Sequence, residues 1–166
     1  MENLLDKDTV KRVKEYLTKY DPNLKIIVLN STAKTAENAA NSLKCDIGAI
    51  IKTLLLKIDN EFLICLVSGD KRCSLKKIKK ISKKDKISMA RAEEVKINTG
   101  FTIGGVSPVG HVKKLEVFID KSLNRYNNLY AAAGHPNCIF KIRYEQLVNI
   151  TNGSEFEITE WGIQKH

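Results

Sequence analysis

The stretch from Gly48 to Ser68 limits the fold more than any other part of the chain. Gly48-Ala49-Ile50-Ile51-Lys52-Thr53-Leu54-Leu55-Leu56-Lys57-Ile58 is rich in β-branched and aliphatic residues, Asp59-Asn60 is a turn signal, and Phe62 to Ser68 supplies a return strand. Two such runs about a short polar turn read as an antiparallel β-hairpin. Side chains alternate across a strand, so Lys52 shares a face with Ile50, Leu54, Leu56 and Ile58, while Lys57 lies on the other face with Thr53. An ammonium group on an apolar face is costly unless it has a partner or a water-filled pocket. Lys52 is therefore a candidate functional residue, the alternative being a stem that snorkels out at the sheet edge.

The second constraint is Gly104-Gly105-Val106-Ser107-Pro108-Val109-Gly110-His111, with three of the nine glycines and one of the three prolines. Glycine opens backbone angles closed to other residues and proline fixes φ, so the run predicts a stiff loop able to bring backbone N–H groups close to a ligand. A tight surface connection between strands is the plainer alternative. Gly105 and Gly110 have P-loop spacing, but His111-Val112 stands where Lys-Ser/Thr is needed. Gly105-x-Ser107 begins a nucleophile elbow that Val109 then breaks.

The rest of the chain reads as short elements. A helix is predicted over 9–20, capped by Asp8, with Val10, Val13 and Leu17 on one face. Lys25 to Leu29 reads as a strand, Asn30-Ser31-Thr32 as a polar turn, and Thr35 as the cap of a helix with Ala36, Ala39, Ala40 and Leu43 on one side. Ser74 caps a helix that turns Leu75, Ile78 and Ile81 inward. Ile87 to Ala90 reads as a strand and Arg91 to Asn98 as a helix with Ala92 and Val95 inward and Gly100 as its stop. Further on, Val117 to Ile119, Leu129 to Ala133, Cys138 to Ile142 and Phe156 to Ile158 read as strands. Asp120 caps a helical turn at Lys121 to Leu123, Gly134-His135-Pro136-Asn137 is a loop, and Tyr144 to Ile150 is the last helix. Many short strands among helices, without a regular βαβ rhythm, predict one mixed α/β domain around a curved or barrel-like sheet.

Charge narrows the partner. The net charge is +9, and residues 71–86 hold nine basic side chains against one acid, Asp85. So lopsided a run favours phosphate contact over a merely solvated face. Lys71, Arg72, Lys76, Lys79, Lys80 and Lys83 are the candidate phosphate-contacting residues, with nucleic acid as the first expected partner and an acidic membrane as the second. Cys45, Cys65, Cys73 and Cys138 form no C-x-x-C pair, so free thiols are expected, with no structural zinc. No apolar run approaches the ~20 residues of a membrane helix and the N-terminus lacks a signal-peptide pattern, which leads to the expectation of a cytoplasmic protein.

In order and spacing these pieces resemble the YbaK / prolyl-tRNA synthetase editing-domain family. The resemblance rests on Thr35-Ala36-Glu37-Asn38-Ala39-Ala40, Ile51-Lys52-Thr53-Leu54, Ser68-Gly69-Asp70-Lys71-Arg72, Met89-Ala90, Thr99-Gly100-Phe101, the Gly104 to His111 loop and Ala132-Ala133-Gly134-His135-Pro136-Asn137. It runs from about residue 31 to about residue 159, leaving residues 1–24 as an N-terminal helical extension of a single domain, 1–166. The resemblance implies a mixed α/β fold with a barrel-like, mostly antiparallel sheet and surrounding helices. It implies a free-standing, trans-editing aminoacyl-tRNA deacylase that hydrolyses the ester of a mischarged tRNA. The family's functional lysine falls on Lys52, its G-x-x-x-P loop on Gly104 to Pro108, and its third substrate-lining segment around Gly134 and His135.

Lys52, Gly104, Gly105 and His135 are thus the candidate catalytic residues, and Thr53, Ser107, Pro108, Gly110, His111 and Gly134 the candidate substrate-binding ones. Loop N–H groups can stabilise the charge that builds on the carbonyl oxygen. Lys52 can bind that oxygen or the terminal ribose and phosphate, or act as a base if its pKa is depressed. Direct attack by water is expected; Ser107 as a covalent nucleophile is the sharper alternative. His111 is expected to brace the loop, and His135 to shuttle protons or shape the pocket. Ala, Ser, Thr and Cys are candidate substrate amino acids, with Ser or Ala favoured by the third segment. The expected partners are mischarged tRNA and, second, an aminoacyl-tRNA synthetase; no cofactor, metal or membrane is expected. A non-catalytic tRNA- or RNA-binding module is the competing class.

Overall fold

The computed structural model describes residues 3–30 and 35–162. Helix α1 (Asp8–Tyr20) leads into strand β1 (Ile26–Val28) and helix α2 (Ala36–Leu43). The expected hairpin follows as β2 (Ile51–Ile58) and β3 (Glu61–Ser68), then β4 (Lys71–Cys73), α3 (Leu75–Ser82), β5 (Ile87–Met89) and α4 (Ala92–Thr99). After the glycine loop come β6 (Glu116–Asp120), β7 (Leu129–His135), β8 (Cys138–Ile142), α5 (Tyr144–Thr151), β9 (Ser154–Phe156) and β10 (Thr159–Trp161). The turn at Asn30-Ser31-Thr32 falls partly outside the described residues. Among the described residues no helix is long and apolar enough to cross a membrane.

The hairpin is the centre of a five-stranded sheet in the order β5-β2-β3-β6-β9. β2 runs antiparallel to β3 and β5, placing Lys52 opposite Val67 and Ile51 opposite Ser68, while β3-β6 and β6-β9 pair in parallel. β1, β8 and β7 form an antiparallel three-stranded sheet, and β4 pairs with β10. The sequence leads to one barrel-like sheet; the described strands form three. Among the described residues a single isolated parallel bridge, Ile50 to Tyr130, joins the residue before β2 to β7. Ile47–Ala49 turns as a short 3-10 helix, so β2 begins too late to pair further.

Both faces of the hairpin are buried, as its apolar run requires. Ile51, Leu55, Ile64 and Leu66 join the main core with Phe101, Val109, Phe140 and Leu147. Leu54, Leu56, Leu63, Cys65 and Val67 meet Ile78 of α3 on the other side. α1 belongs to the main core: Val10, Val13 and Leu17 are fully buried, each worth about 1.5–3 kcal/mol of apolar transfer.

Thr35 and Ser74 cap their helices as expected, accepting from the Asn38 and Lys77 amides. Asp120 likewise accepts from the Ser122 amide. Asp8 does not cap α1; the cap position is Lys7, and Asp8 is the first helical residue. Ala92 is exposed, and Val95, Asn98 and Thr99 make the buried face of α4. β7 runs on through Gly134 and His135, so the expected loop shrinks to the turn at Pro136 and Asn137. The expected last strand is instead two, β9 and β10, because Ile158 is drawn inward, its N–H donating to the buried Asp120 carboxylate.

Candidate active site

The register of β2 puts Lys52 on the wall of a cavity of about 150 Å³ between the hairpin, α2, the glycine loop and β7. Its lining is mostly apolar, including Ala36, Ala39, Ile50, Met89, Ile103, Val106, Ala132 and Ile139. The polar groups are few: Lys52, Thr53, Thr35 and Tyr130. Lys52 is partly buried and has no hydrogen-bond or ion-pair partner among the described residues. Burial pushes its ammonium pKa below the ordinary lysine value, with no carboxylate to hold it up. Lys57, on the opposite face, is paired with Glu94 at 3.4 Å. The two lysines of one strand therefore have different fates, set by the period of two. Beside Lys52, the Thr53 Oγ1 is buried without a partner, which costs about 1–3 kcal/mol in a closed protein interior.

The glycine loop meets this cavity at its first residues. Gly104 lines it, with φ of +96° that a side chain would strain. The Gly105 N–H donates to Thr102 O. The Gly104 and Val106 amides donate to no group among the described residues. From Gly105 to Gly110 the loop is buried. The space a Gly105 Cβ would fill lies 3.1 Å from the backbone N and Cα of His135. At Gly134 a Cβ would stand 2.7 Å from Thr9 O, at the start of α1. These two glycines let loop, strand and helix stack backbone on backbone.

Ser107 is fully buried; its Oγ accepts from the Val109 N–H, and its carbonyl oxygen accepts from His111 Nε2 at 2.7 Å. His111 also meets Phe101 edge-on, and burial, with the nearby Arg12 charge, holds its pKa below the usual imidazole value. Arg12 of α1 clamps the same loop: Nε donates to Gly110 O at 2.7 Å, Nη2 to Thr99 O at 3.3 Å, and the guanidinium lies 4.6 Å over the Phe101 ring. Arg12 was missed by sequence reasoning. A lone arginine on an amphipathic helix carries no local signal for a carbonyl 98 residues away.

The cavity thus gathers Lys52, Thr53 and Gly104 from the expected set. Gly105, Ser107, Pro108, Gly110, His111, Gly134 and His135 are not among its lining residues. Pro108, Gly110 and His111 border a separate surface depression with Lys113 and Lys114. His135 accepts the Asn137 N–H at Nδ1. Of the basic tract, Arg72, Lys76, Lys79, Lys80 and Lys83 are exposed and Lys71 is partly covered. Among the pocket-wall residues, Met89 belongs to the Met89-Ala90 piece of the resemblance, whereas Tyr130 gives no sequence signal beyond strand propensity.

Comparison with known proteins agrees with this geometry. The chain is 29% identical over 127 residues to EbsC of Enterococcus faecalis, named as a candidate Cys-tRNA(Pro)/Cys-tRNA(Cys) deacylase, covering 75% of this chain and 77% of that one. It is 27% identical over 150 residues to a proline–tRNA ligase of Staphylococcus aureus, covering 86% of this chain but only 25% of the ligase. A crystal structure described as a candidate trans-editing enzyme for prolyl tRNA synthetase superposes with a TM-score of 0.87 at 31% identity, covering 93% of this chain and 98% of that one. The likenesses to EbsC and to the trans-editing enzyme define the class as aminoacyl-tRNA deacylases. The chain belongs to the aminoacyl-tRNA editing domain family, whose model matches residues 30–150.

Proposed function

We propose that the protein is a trans-acting aminoacyl-tRNA deacylase in the cytoplasm, hydrolysing the ester between tRNA and a small, wrongly attached amino acid. The observation that carries the reading is the unpaired Lys52 on the wall of a small apolar cavity beside the glycine loop. Water attacks the ester carbonyl carbon. Negative charge gathers on the carbonyl oxygen, where the Lys52 ammonium and the Gly104 and Val106 amides supply stabilisation. The water gives up a proton as it adds, the bond to the terminal ribose oxygen breaks, that oxygen takes up the proton so released, and the free amino acid leaves. Ser107 is occupied in holding its loop, which favours water over a covalent nucleophile.

Size sets the substrate. A cavity of about 150 Å³ is of the size that takes up a benzene molecule, which favours a small side chain. The side chains of Ala, Ser, Thr and Cys lie within that size. Editing meets a real need here, because a synthetase pocket cannot strongly reject a slightly smaller or isosteric amino acid. The exposure of the α3 lysines supports a role for them in holding the tRNA body, and a synthetase that releases the mischarged product is the natural second partner. The test is a panel of tRNAs charged with Ala, Ser, Thr, Cys, Pro and Tyr. Turnover confined to small residues supports the reading; no turnover on any member, or turnover of Tyr equal to Ala, refutes it.

A further inference from the structure

The chain has a single tryptophan, and it is the most exposed large apolar side chain among the described residues. Trp161 ends β10, directly opposite Lys71 of β4, and is 66% exposed. Two cations flank its ring: Lys71 Nζ at 4.3 Å and Arg125 Cζ at 5.3 Å from the centroid. Arg125 is held in place, its Nη1 and Nη2 donating to Asp70 at 3.0 and 2.8 Å, and Nη2 to Ser68 Oγ at 2.9 Å. The same guanidinium lies 5.1 Å from the Tyr126 ring.

The surroundings are basic. Lys77 donates to Thr159 O at 2.6 Å, which ties the lysine-rich helix α3 to β10. Of the acids here, Asp70 and Glu160 are already paired, with Arg125 and Arg72, and the Asp120 carboxylate also acts on Arg125. Ser68, which holds Arg125, is the cross-strand partner of Ile51, the residue before Lys52.

A flat ring held among fixed cations suits a ligand that is planar and anionic together. An unpaired nucleotide is such a ligand: its base stacks and its phosphate meets the cations. A duplex offers its phosphates but no open base face. We propose that Trp161, flanked by Lys71 and Arg125, is a stacking platform for an unpaired nucleotide in the single-stranded 3′ end of the tRNA. The inference rests on the deacylase reading for the identity of the RNA, and it extends the RNA contact beyond the basic helix.

Because Trp161 is the chain's one tryptophan, fluorescence excited at the red edge of the absorption band, beyond the reach of the five tyrosines, reports on it alone. Titration of the full chain with a short single-stranded RNA ending in C-C-A should quench that fluorescence. Trp161→Ala should weaken binding of the labelled RNA, read by anisotropy, by about 5- to 150-fold, the loss of one base–aromatic stack. Trp161→Phe should recover most of it, and both variants should melt like the parent. Unchanged fluorescence at saturating RNA, equal affinity of Trp161→Ala, or equal quenching by duplex RNA would each overturn the platform. Quenching without turnover of any mischarged tRNA supports the platform and removes the deacylase reading; turnover without quenching does the reverse.

Discussion

Replacing Lys52 by methionine should separate catalysis from stability. The lysine makes no hydrogen bond or ion pair among the described residues, so the exchange breaks none. Methionine keeps the aliphatic stem, and volume-conserving exchanges of this kind cost less than about 1.5 kcal/mol. Against that stands the relief of a partly buried, unpaired ammonium, so the melting temperature should hold or rise. Loss of one preorganised charge at a developing oxyanion costs about 10²–10³ in kcat, or about 2.7–4 kcal/mol. Single-turnover deacylation of mischarged tRNA measures the first quantity and thermal denaturation the second. The pH profile tests the role. Desolvation lowers the folded-state pKa below the unfolded value, so the destabilising effect of the charge is full below the folded pKa and fades as pH rises through the window between the two. As a charge stabiliser, Lys52 should lose its rate advantage over the methionine variant as pH rises through the same lowered pKa. A folded variant with parental turnover, or an advantage that grows with pH, would refute the argument.

Gly105→Ala should lower both turnover and stability, because its Cβ meets the His135 backbone at 3.1 Å and must push loop and strand apart; kinetics and a melt on the same preparation check this. Ser107→Ala should leave the Val109 N–H unpaired in the core, costing about 1–3 kcal/mol in urea denaturation, while turnover falls far less than in the Lys52 variant. A trapped acyl-enzyme on the parent Ser107 would contradict that. Replacing Lys76, Lys79, Lys80 and Lys83 together by Ala should raise KM for full-length mischarged tRNA. It should also flatten the log–log salt slope, by about 0.9 for each duplex phosphate that is no longer neutralised. An unchanged affinity and slope would reduce the tract to a solvated face.

What the sequence determined by itself lies in its short-range patterns. The alternation from Gly48 to Ile58 set the hairpin and the face of Lys52, because strand geometry has a period of two that no distant contact alters. Thr35 and Ser74 declared their helices because a capping bond spans three residues. Glycine and proline marked the loop at 104–111 for the same local reason. The tertiary structure decided which parts of that loop reach the cavity. Gly104 lines it, while Gly105 and Gly134 owe their small size to backbones packed against them, a need that a sequence shows only as a glycine. It also recruited α1: the Arg12 bond to Gly110 spans 98 residues, and helical periodicity cannot announce a partner so far along the chain. Trp161 has no meaning in sequence beyond a terminal aromatic. Only the pairing of β10 with β4, and the anchoring of Arg125 by Asp70 and Ser68, set it between two cations, because long-range strand pairing, not local propensity, fixes which side chains become neighbours.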